Sequence, residues 1–340
     1  MSSSLYIGST CLRVLQNDAN HKLTRRSIET AYTVMEDTLE NRQLLQKIAV
    51  PFLFSEGTLI IPGENAGQIA RFSHSPLYPL FTNGELVLND PVNRQLLSTL
   101  IQSVLPKARR TGEYCSFITP GTDPAAPLSK LVSQLIALQG FTPFATTITQ
   151  SAGLAALPAS LHYSGYVVYL GHSHSEIGLI HQSRVVVRHS APYGSEWLDE
   201  QLAYAFKFFK TDSAGETVPD SEKARTKRLN PEINLSPYLS NHSLLTNWYE
   251  SLFDSLLDQF ASQLDSMQNY IETLEILPVV YMGELSHIDG FDELLAQNLS
   301  NRKIRFDTGQ VTLIQDEHFS ITRGALVMAA MEEETLSRAA

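Results

Sequence analysis

One design occurs twice in this chain: an aliphatic strand that breaks at a glycine, a turn of small polar residues, and a second aliphatic strand. The two copies are Leu5-Tyr-Ile-Gly-Ser-Thr-Cys-Leu-Arg-Val14 and Val168-Tyr-Leu-Gly-His-Ser-His-Ser-Glu-Ile177, near the start of each half. Small residues let the backbone come close to a ligand, so such turns can point N–H groups at a phosphate. A third glycine turn, Val280-Tyr-Met-Gly-Glu-Leu-Ser-His-Ile-Asp-Gly290, ends a strand late in the chain. Each turn alone is a weak signal; two similar hairpins opening two similar halves constrain the fold together.

The surrounding pattern is mixed α/β. Leu5 to Leu15 and Ala49 to Ile61 read as strands and hairpins, with a polar, charged segment between them. Pro91 to Leu105 carries Val92, Leu96, Leu97, Leu100, Ile101 and Val104 at helical spacing, closed by Pro106. A strand at Cys115, a helix over Pro127 to Gln139, a strand over Phe141 to Ile148 and a helix through Leu157 then alternate as in a βαβ architecture. Gly165 to Gly171, Glu176 to His181 and Arg184 to Arg188 form a meander, followed by a helix over Trp197 to Phe209 and a charge-rich loop or small insertion over Lys210 to Asn230. Leu244 to Leu274 predicts one long or two short helices, Ile276 to Gly283 a buried strand, and Phe291 to Leu299 and Thr322 to Arg338 further helices.

Composition narrows the function classes. The 340 residues are 43% hydrophobic, enough for two domains with large cores. The formal net charge of −11 opposes generic binding to nucleic acid, which needs positive potential; the basic run Lys223-Ala-Arg-Thr-Lys-Arg228 reads as a solvated helix face. No apolar run is long enough to span a bilayer, the start carries no signal peptide, and Cys11 and Cys115 are too few for a disulfide framework. These features predict a cytoplasmic protein without direct membrane insertion.

The order and spacing of the motifs resemble the actin, Hsp70 and sugar-kinase superfamily over nearly the whole chain, and within it the bacterial actin-like proteins of the MreB, FtsA and PilM kind. Tyr6-Ile7-Gly8-Ser9 is similar to the first phosphate hairpin of that superfamily, and Tyr169 to Glu176 to its second. Val185 to Gly194 looks like the strand that leads into the next helix, Met282 to Leu285 approximates the adenosine turn, and Thr322 to Ala330 resembles the closing small-residue helix. The resemblance implies a two-domain actin-like fold, a duplicated ribonuclease-H-like α/β architecture with an interdomain cleft. The first domain would span residues 1–160 and the second 161–340, with the C-terminal helix returning to the first. By the same resemblance, Gly8, Ser9, Thr10, Gly171, Ser173, Ser175 and Gly283 are candidate nucleotide-binding positions, with Glu222 and Arg225 as flanking adenosine contacts or, alternatively, solvated charges. Gln150 falls where actin has a water-orienting glutamine; it reads equally as an exposed residue in a first helical turn.

The departures from the family pattern all point one way. Active members hold hydrated magnesium through one Asp in each hairpin. Here Tyr6 and Tyr169 take those places, and a neutral phenol with a pKa near ~10 is a poor ligand for a hard cation. His172 and Glu284 put side chains where the family has glycine. Tyr6, Tyr169, His172 and Glu284 are therefore expected to block the cleft, with magnesium excluded and ATP or ADP bound weakly or not at all. The tyrosines also fit a plain role as strand aromatics. His172, His174 and His287 invite a zinc reading, against solvated turn imidazoles or a protonated anion site. The expectation is a degenerate actin-like cytoskeletal or scaffold protein that acts through protein contacts and self-assembly, with ATP hydrolysis lost or weak. The alternative is a working Mg-ATPase that forms nucleotide-dependent filaments. A small-molecule kinase lacks an evident acid.

Overall fold

The computed structural model describes residues 2–17, 22–110, 112–120, 125–211, 215–239 and 244–339. The chain divides into two compact units, one of residues 1–146 and 325–340, the other of residues 147–324. The first therefore closes ahead of the expected boundary near residue 160.

In the first unit the elements run β1 (Ser3–Ile7), β2 (Cys11–Asn17), β3 (Leu23–Glu29), β4 (Ala31–Glu36), α1 (Leu39–Lys47), β5 (Leu53–Ser55), β6 (Thr58–Pro62), α2 (Glu64–Ser73), β7 (Leu77–Pro79), α3 (Pro91–Val104), β8 (Tyr114–Ile118), α4 (Pro127–Leu138) and β9 (Thr142–Ala145). The main sheet has the order β3-β2-β1-β8-β9, antiparallel across β3, β2 and β1 and parallel from β1 to β9. A smaller sheet, β5-β6-β4-β7, is inserted between β3 and α3. Its β5–β6 hairpin turns through Glu56 and Gly57, both at positive φ, the backbone that a two-residue turn requires. Among the described residues, the polar segment between Leu15 and Ala49 thus holds β3, β4 and α1. Helix α3 starts at Pro91 as its sequence predicts, and Leu96, Leu97, Leu100, Ile101 and Val104 are buried against the main sheet; Asp90 caps the Val92 amide at 2.8 Å.

The second unit contains α5 (Ile148–Ala156), β10 (Gly165–Leu170), β11 (Ser175–His181), β12 (Arg184–Ala191), α6 (Ser195–Phe206), β13 (Phe209–Thr211), β14 (Thr217–Pro219), α7 (Ser221–Arg228), α8 (Leu244–Asp265), α9 (Gln268–Ile271), β15 (Val279–Met282), α10 (Phe291–Asn301), β16 (Val311–Leu313) and the start of α11 (Glu317–Ala339). Its sheet order, β12-β11-β10-β15-β16, repeats the first topology strand for strand, with the same antiparallel and parallel pairings. β10 is buried on both faces, hence its unbroken apolar sequence. One face carries α8, whose Tyr249, Leu252, Phe253, Leu256, Leu257 and Phe260 are fully buried; each such side chain stabilises the unit by roughly 1.5–3 kcal/mol. The other face carries α5, which lies close to the sheet because Gly153 and Gly178 are small: added Cβ atoms would stand 3.2 Å from Ile180 and 3.1 Å from Thr149. Helix α11 approaches closer still, since a Cβ on Gly324 would lie 1.7 Å from the Ser151 carbonyl oxygen.

Among the described residues, the segment read as a loop or small insertion, Lys210 to Asn230, contributes the β13–β14 pair and α7. Asp220 caps α7 at the Lys223 amide. The only residues α7 buries are Ala224 and Arg228, one turn apart, which is why its sequence carries no apolar stripe.

Candidate functional site

The two glycine hairpins share a local geometry. Each closes through one backbone hydrogen bond, Gly8 N–H to the Cys11 carbonyl at 2.9 Å and Gly171 N–H to the His174 carbonyl at 3.0 Å. In each, the tyrosine two residues before the glycine folds its ring over it. A Cβ on Gly8 would lie 2.9 Å from the Tyr6 ring, and one on Gly171 would lie 2.3 Å from the Tyr169 hydroxyl. Both tyrosines are only 7% exposed, so each ring covers its own hairpin. The Arg13 guanidinium lies 5.9 Å from the Tyr6 ring centre.

The carbonyls of each turn are held by protein donors. In the first hairpin, Thr30 donates its hydroxyl to the Ser9 carbonyl and its amide, at 3.0 Å, to the Thr10 carbonyl. In the second, the first amides of α6 do the same work: Ser195 N–H to the Gly171 carbonyl and Glu196 N–H to the His172 carbonyl, each at 2.9 Å. A helix N-terminus leaves such donors without intrahelical partners, and here the hairpin takes two of them. Gly194 must be glycine for this contact, because its Cβ would stand 2.2 Å from the His172 carbonyl. Ser175 is buried with its hydroxyl on the Tyr193 carbonyl, 2.7 Å away, and the Ser173 hydroxyl meets the His174 ring at 3.3 Å.

The glycine turn after β15 adds a charge. Gly283 packs on the end of β10, with φ at +114° and only 2.1 Å between its would-be Cβ and the Leu170 oxygen, so no side chain fits there. Glu284 follows, and its carboxylate accepts from the Ser195 hydroxyl at 2.6 Å, lies 3.5 Å from His172 Nδ1 and faces Arg225 at 3.9 Å. Ser195 also contacts His172 Nδ1 at 2.9 Å. Burial on its own would raise the Glu284 pKa, but the hydrogen bonds from His172 and Ser195 and the charges of His172 and Arg225 outweigh it and hold the group down at about 2. Burial would lower the His172 pKa; the hydrogen bond and charge of Glu284, helped by Glu196, overcome it and raise the imidazole above its ordinary value. The result is an ionised carboxylate with an imidazole that readily takes a proton.

Behind this cluster, Arg228 forks onto Asp199 with two bonds of 2.6 and 2.9 Å, both side chains buried, and reaches the Glu284 carbonyl at 3.4 Å. This pair ties α7 to α6. Tyr249 donates from α8 to the Leu285 carbonyl at 2.7 Å. Neither Arg228 nor Asp199 was singled out from the sequence; a lone arginine in a basic run and a helical aspartate carry no joint signal.

The remaining candidates lie elsewhere in the second unit. Gln150, in the first turn of α5, donates its side-chain amide to the Ser183 carbonyl at 3.3 Å. Ser183 sits in the β11–β12 turn, at the opposite end of β11 from the glycine hairpin. Glu222 is exposed on α7, while its neighbour Arg225 faces Glu284. Glu176 is buried at the hairpin end of β11, where its carboxylate accepts from the Thr149 hydroxyl at 2.6 Å and the Thr149 amide at 3.1 Å, joining Thr147 in capping α5. Burial raises its pKa against the pull of those bonds. Burial pushes His174 down to about 4, and its Nε2 is buried without a hydrogen-bond partner beside the Tyr169 ring. Among the described residues no three His, Cys, Asp or Glu groups converge to hold a metal ion; the zinc reading of His172, His174 and His287 therefore has no ligand set. Among the described residues no helix is long and apolar enough to cross a membrane.

Two units with one sheet topology, each with a glycine hairpin between the first two strands of its sheet, define an actin-like fold. Solved structures agree over nearly the full length. The MamK double helical filament gives a TM-score of 0.61 at 14% identity, covering 97% of this chain and 99% of that one. MreB 5 of Spiroplasma citri bound to AMPPNP gives 0.60 at 10% identity, covering 100% and 99%. A non-polymerising MamK mutant bound to AMPPNP gives 0.57 at 14%, covering 96% and 98%. The chain belongs to the volactin family, whose sequence profile matches residues 1–329. No curated protein matches it.

Proposed function

We propose that this chain is a cytoskeletal or scaffold protein that works through protein contacts and association with its own copies, and that its hydrolysis of ATP is lost or weak. Support for the assembly half comes from the shared fold of a MamK filament and of MreB 5. The second half is carried by one observation: the Glu284 carboxylate takes the hydrogen bond of the Ser195 hydroxyl and pairs with His172 and Arg225. A carboxylate there offsets the positive charge of His172 and Arg225 that would attract a polyphosphate, and the Ser195 hydroxyl is already engaged. Tyr6 and Tyr169 supply neutral phenols folded over the hairpin glycines, a donor set that does not suit magnesium. On that chemistry the residues present do not fit Mg-ATP.

Thermal-shift titration with Mg-ATP tests the reading. Occupancy at ~100 times Kd would stabilise the protein by about 2.7 kcal/mol; the expected result is little or no shift for the natural chain and a larger one for Glu284→Gly, and saturable stabilisation of the natural chain refutes it. The second reading, a nucleotide-driven filament, is favoured by the AMPPNP and ADP named for the MamK and MreB 5 structures. It requires phosphate release by the natural chain that disappears in Gln150→Ala.

A further inference from the structure

The second unit carries one surface unlike the rest of it. Nearly all of the chain's acidic excess falls in this unit, yet the end of α6 and the outer face of α7 present aromatics and lysines together. Tyr204, Phe206 and Phe209 are 49%, 36% and 45% exposed. Phe206 and Phe208 stack with ring centres 5.6 Å apart, and Tyr204 meets Phe209 edge to face at 5.9 Å. Lys223 lies over Phe208 at 4.5 Å and Lys227 over Phe206 at 5.2 Å, so the two stacked rings carry two ammonium groups set one helical turn apart. Lys207 and Lys210 flank them, also exposed. Exposed aromatic patches of this kind mark contact surfaces.

We propose that this patch docks a second copy of the chain, through the acidic surface of that copy's second unit. Charge complementarity selects the occupant. Helix α8 shows solvent a ladder of Glu250, Asp254 and Asp258, each one turn from the next, and Asp254 and Asp258 are 65% and 62% exposed although they share Arg302. Its rungs match the one-turn spacing of Lys223 and Lys227. Patch and ladder lie on different elements of one molecule, so pairing a patch with another copy's ladder leaves one of each free at the two ends, and the contact propagates as a heterologous chain. An anionic lipid surface would attract the lysines but repel the acidic unit that carries them.

The inference rests on the self-association in the proposed function, and sedimentation of the full chain without nucleotide separates the two. Natural protein is expected to pellet with increasing concentration, and less at ionic strengths that shrink the Debye length to ~3 Å. The double variant Lys223→Glu/Lys227→Glu should need at least about tenfold more protein for half pelleting, a change of one decade in affinity. Glu250→Lys/Asp254→Lys, which keeps Asp258 for Arg302, should fail likewise, and an equimolar mixture of the two variants should recover assembly. Natural protein that stays monomeric overturns both readings. Natural protein that pellets while the lysine variant pellets equally well, or variants whose mixture recovers nothing, overturns this interface and leaves self-association standing. Pelleting of the natural protein with phosphatidylserine vesicles, lost in the lysine variant whose self-assembly is intact, overturns it in favour of lipid.

Discussion

The hairpins β1–β2 and β10–β11 are the same device clamped in different ways. Both close with one backbone bond at the glycine, and both are covered by the tyrosine two residues earlier. In the first, the neutral residue Thr30 serves two turn carbonyls. The second is held by a helix terminus and then by a charged assembly, His172, Ser195, Glu284 and Arg225, backed by the buried pair Arg228 and Asp199. One topology thus tolerates two chemistries at equivalent positions. The charged clamp couples α6, α7 and the β15 turn, so its failure should spread further than failure of the neutral one.

Removing Arg228 gives the largest expected effect. Arg228→Ala leaves the Asp199 carboxyl buried without its partner, and breaking a buried pair from one side costs about 3–5 kcal/mol. Urea denaturation should show that loss, and Arg228→Met/Asp199→Leu should recover most of it because neither charge then remains buried. An unchanged midpoint in Arg228→Ala would mean the pair does not brace the clamp.

Glu284→Gln should cost about 2 kcal/mol where the clamp is fully charged, the worth of hydrogen bonds to an ionised group. The pH window follows from the two directions of shift. Glu284 is held below its ordinary 4.5, so its contribution is present above that value and fades as pH falls toward about 2. His172 is raised above 6.5, so its contribution is complete below 6.5 and fades as pH rises through the folded value. The stability gap between natural protein and Glu284→Gln should therefore be widest between about pH 4.5 and 6.5. His174, lowered by burial, pulls the opposite way as pH falls below 6.5, and comparing both proteins at each pH removes it. A gap that is flat with pH would show that the clamp is not charged.

The shared half of this comparison was legible in the sequence and the distinguishing half was not. Glycine, small polar residues and flanking aliphatic runs are local signals, so both hairpins, the strand–helix alternation and helix α3 with its Pro91 start could be read directly. Glu284, His172 and Arg225 were visible one at a time as residues in suspect positions. Their convergence was not, because Ser195 and Glu284 lie 89 residues apart and no local period links them. Arg228 and Asp199 were lost for the same reason, 29 residues apart in a stretch that looks like solvated charge. The strands β3 and β4 hid in a polar segment because β3 is mostly exposed and β4 mostly half-buried, which erases the alternation that betrays a strand.

Adding one methyl group probes what the two hairpins share. Gly171→Ala should destabilise by about 1–2 kcal/mol, as overpacking does, because the new Cβ meets the Tyr169 hydroxyl at 2.3 Å. Gly8→Ala should cost less, its nearest ring atom being 2.9 Å away. In both cases the obstacle is the far end of a side chain, so Tyr169→Ala combined with Gly171→Ala should be less than additive; strict additivity would show that the ring does not cover the turn.

The smallest effect belongs to the neutral clamp. Thr30→Val keeps the side-chain shape and the amide bond to Thr10 but removes the hydroxyl that serves the Ser9 carbonyl. Thr30 is buried, while Ser9 is half-buried beside the exposed Thr10, where water can replace the lost donor. The cost should then stay near ~1 kcal/mol, the net worth of one uncharged hydrogen bond. Neither the hydroxyl nor the carbonyl titrates, so the deficit should be the same at pH 5 and pH 8. Measured beside Glu284→Gln, this pH-independent loss isolates the contribution of charge to the second hairpin; a loss that varies with pH would tie the first hairpin to an ionisable group and remove the distinction between them.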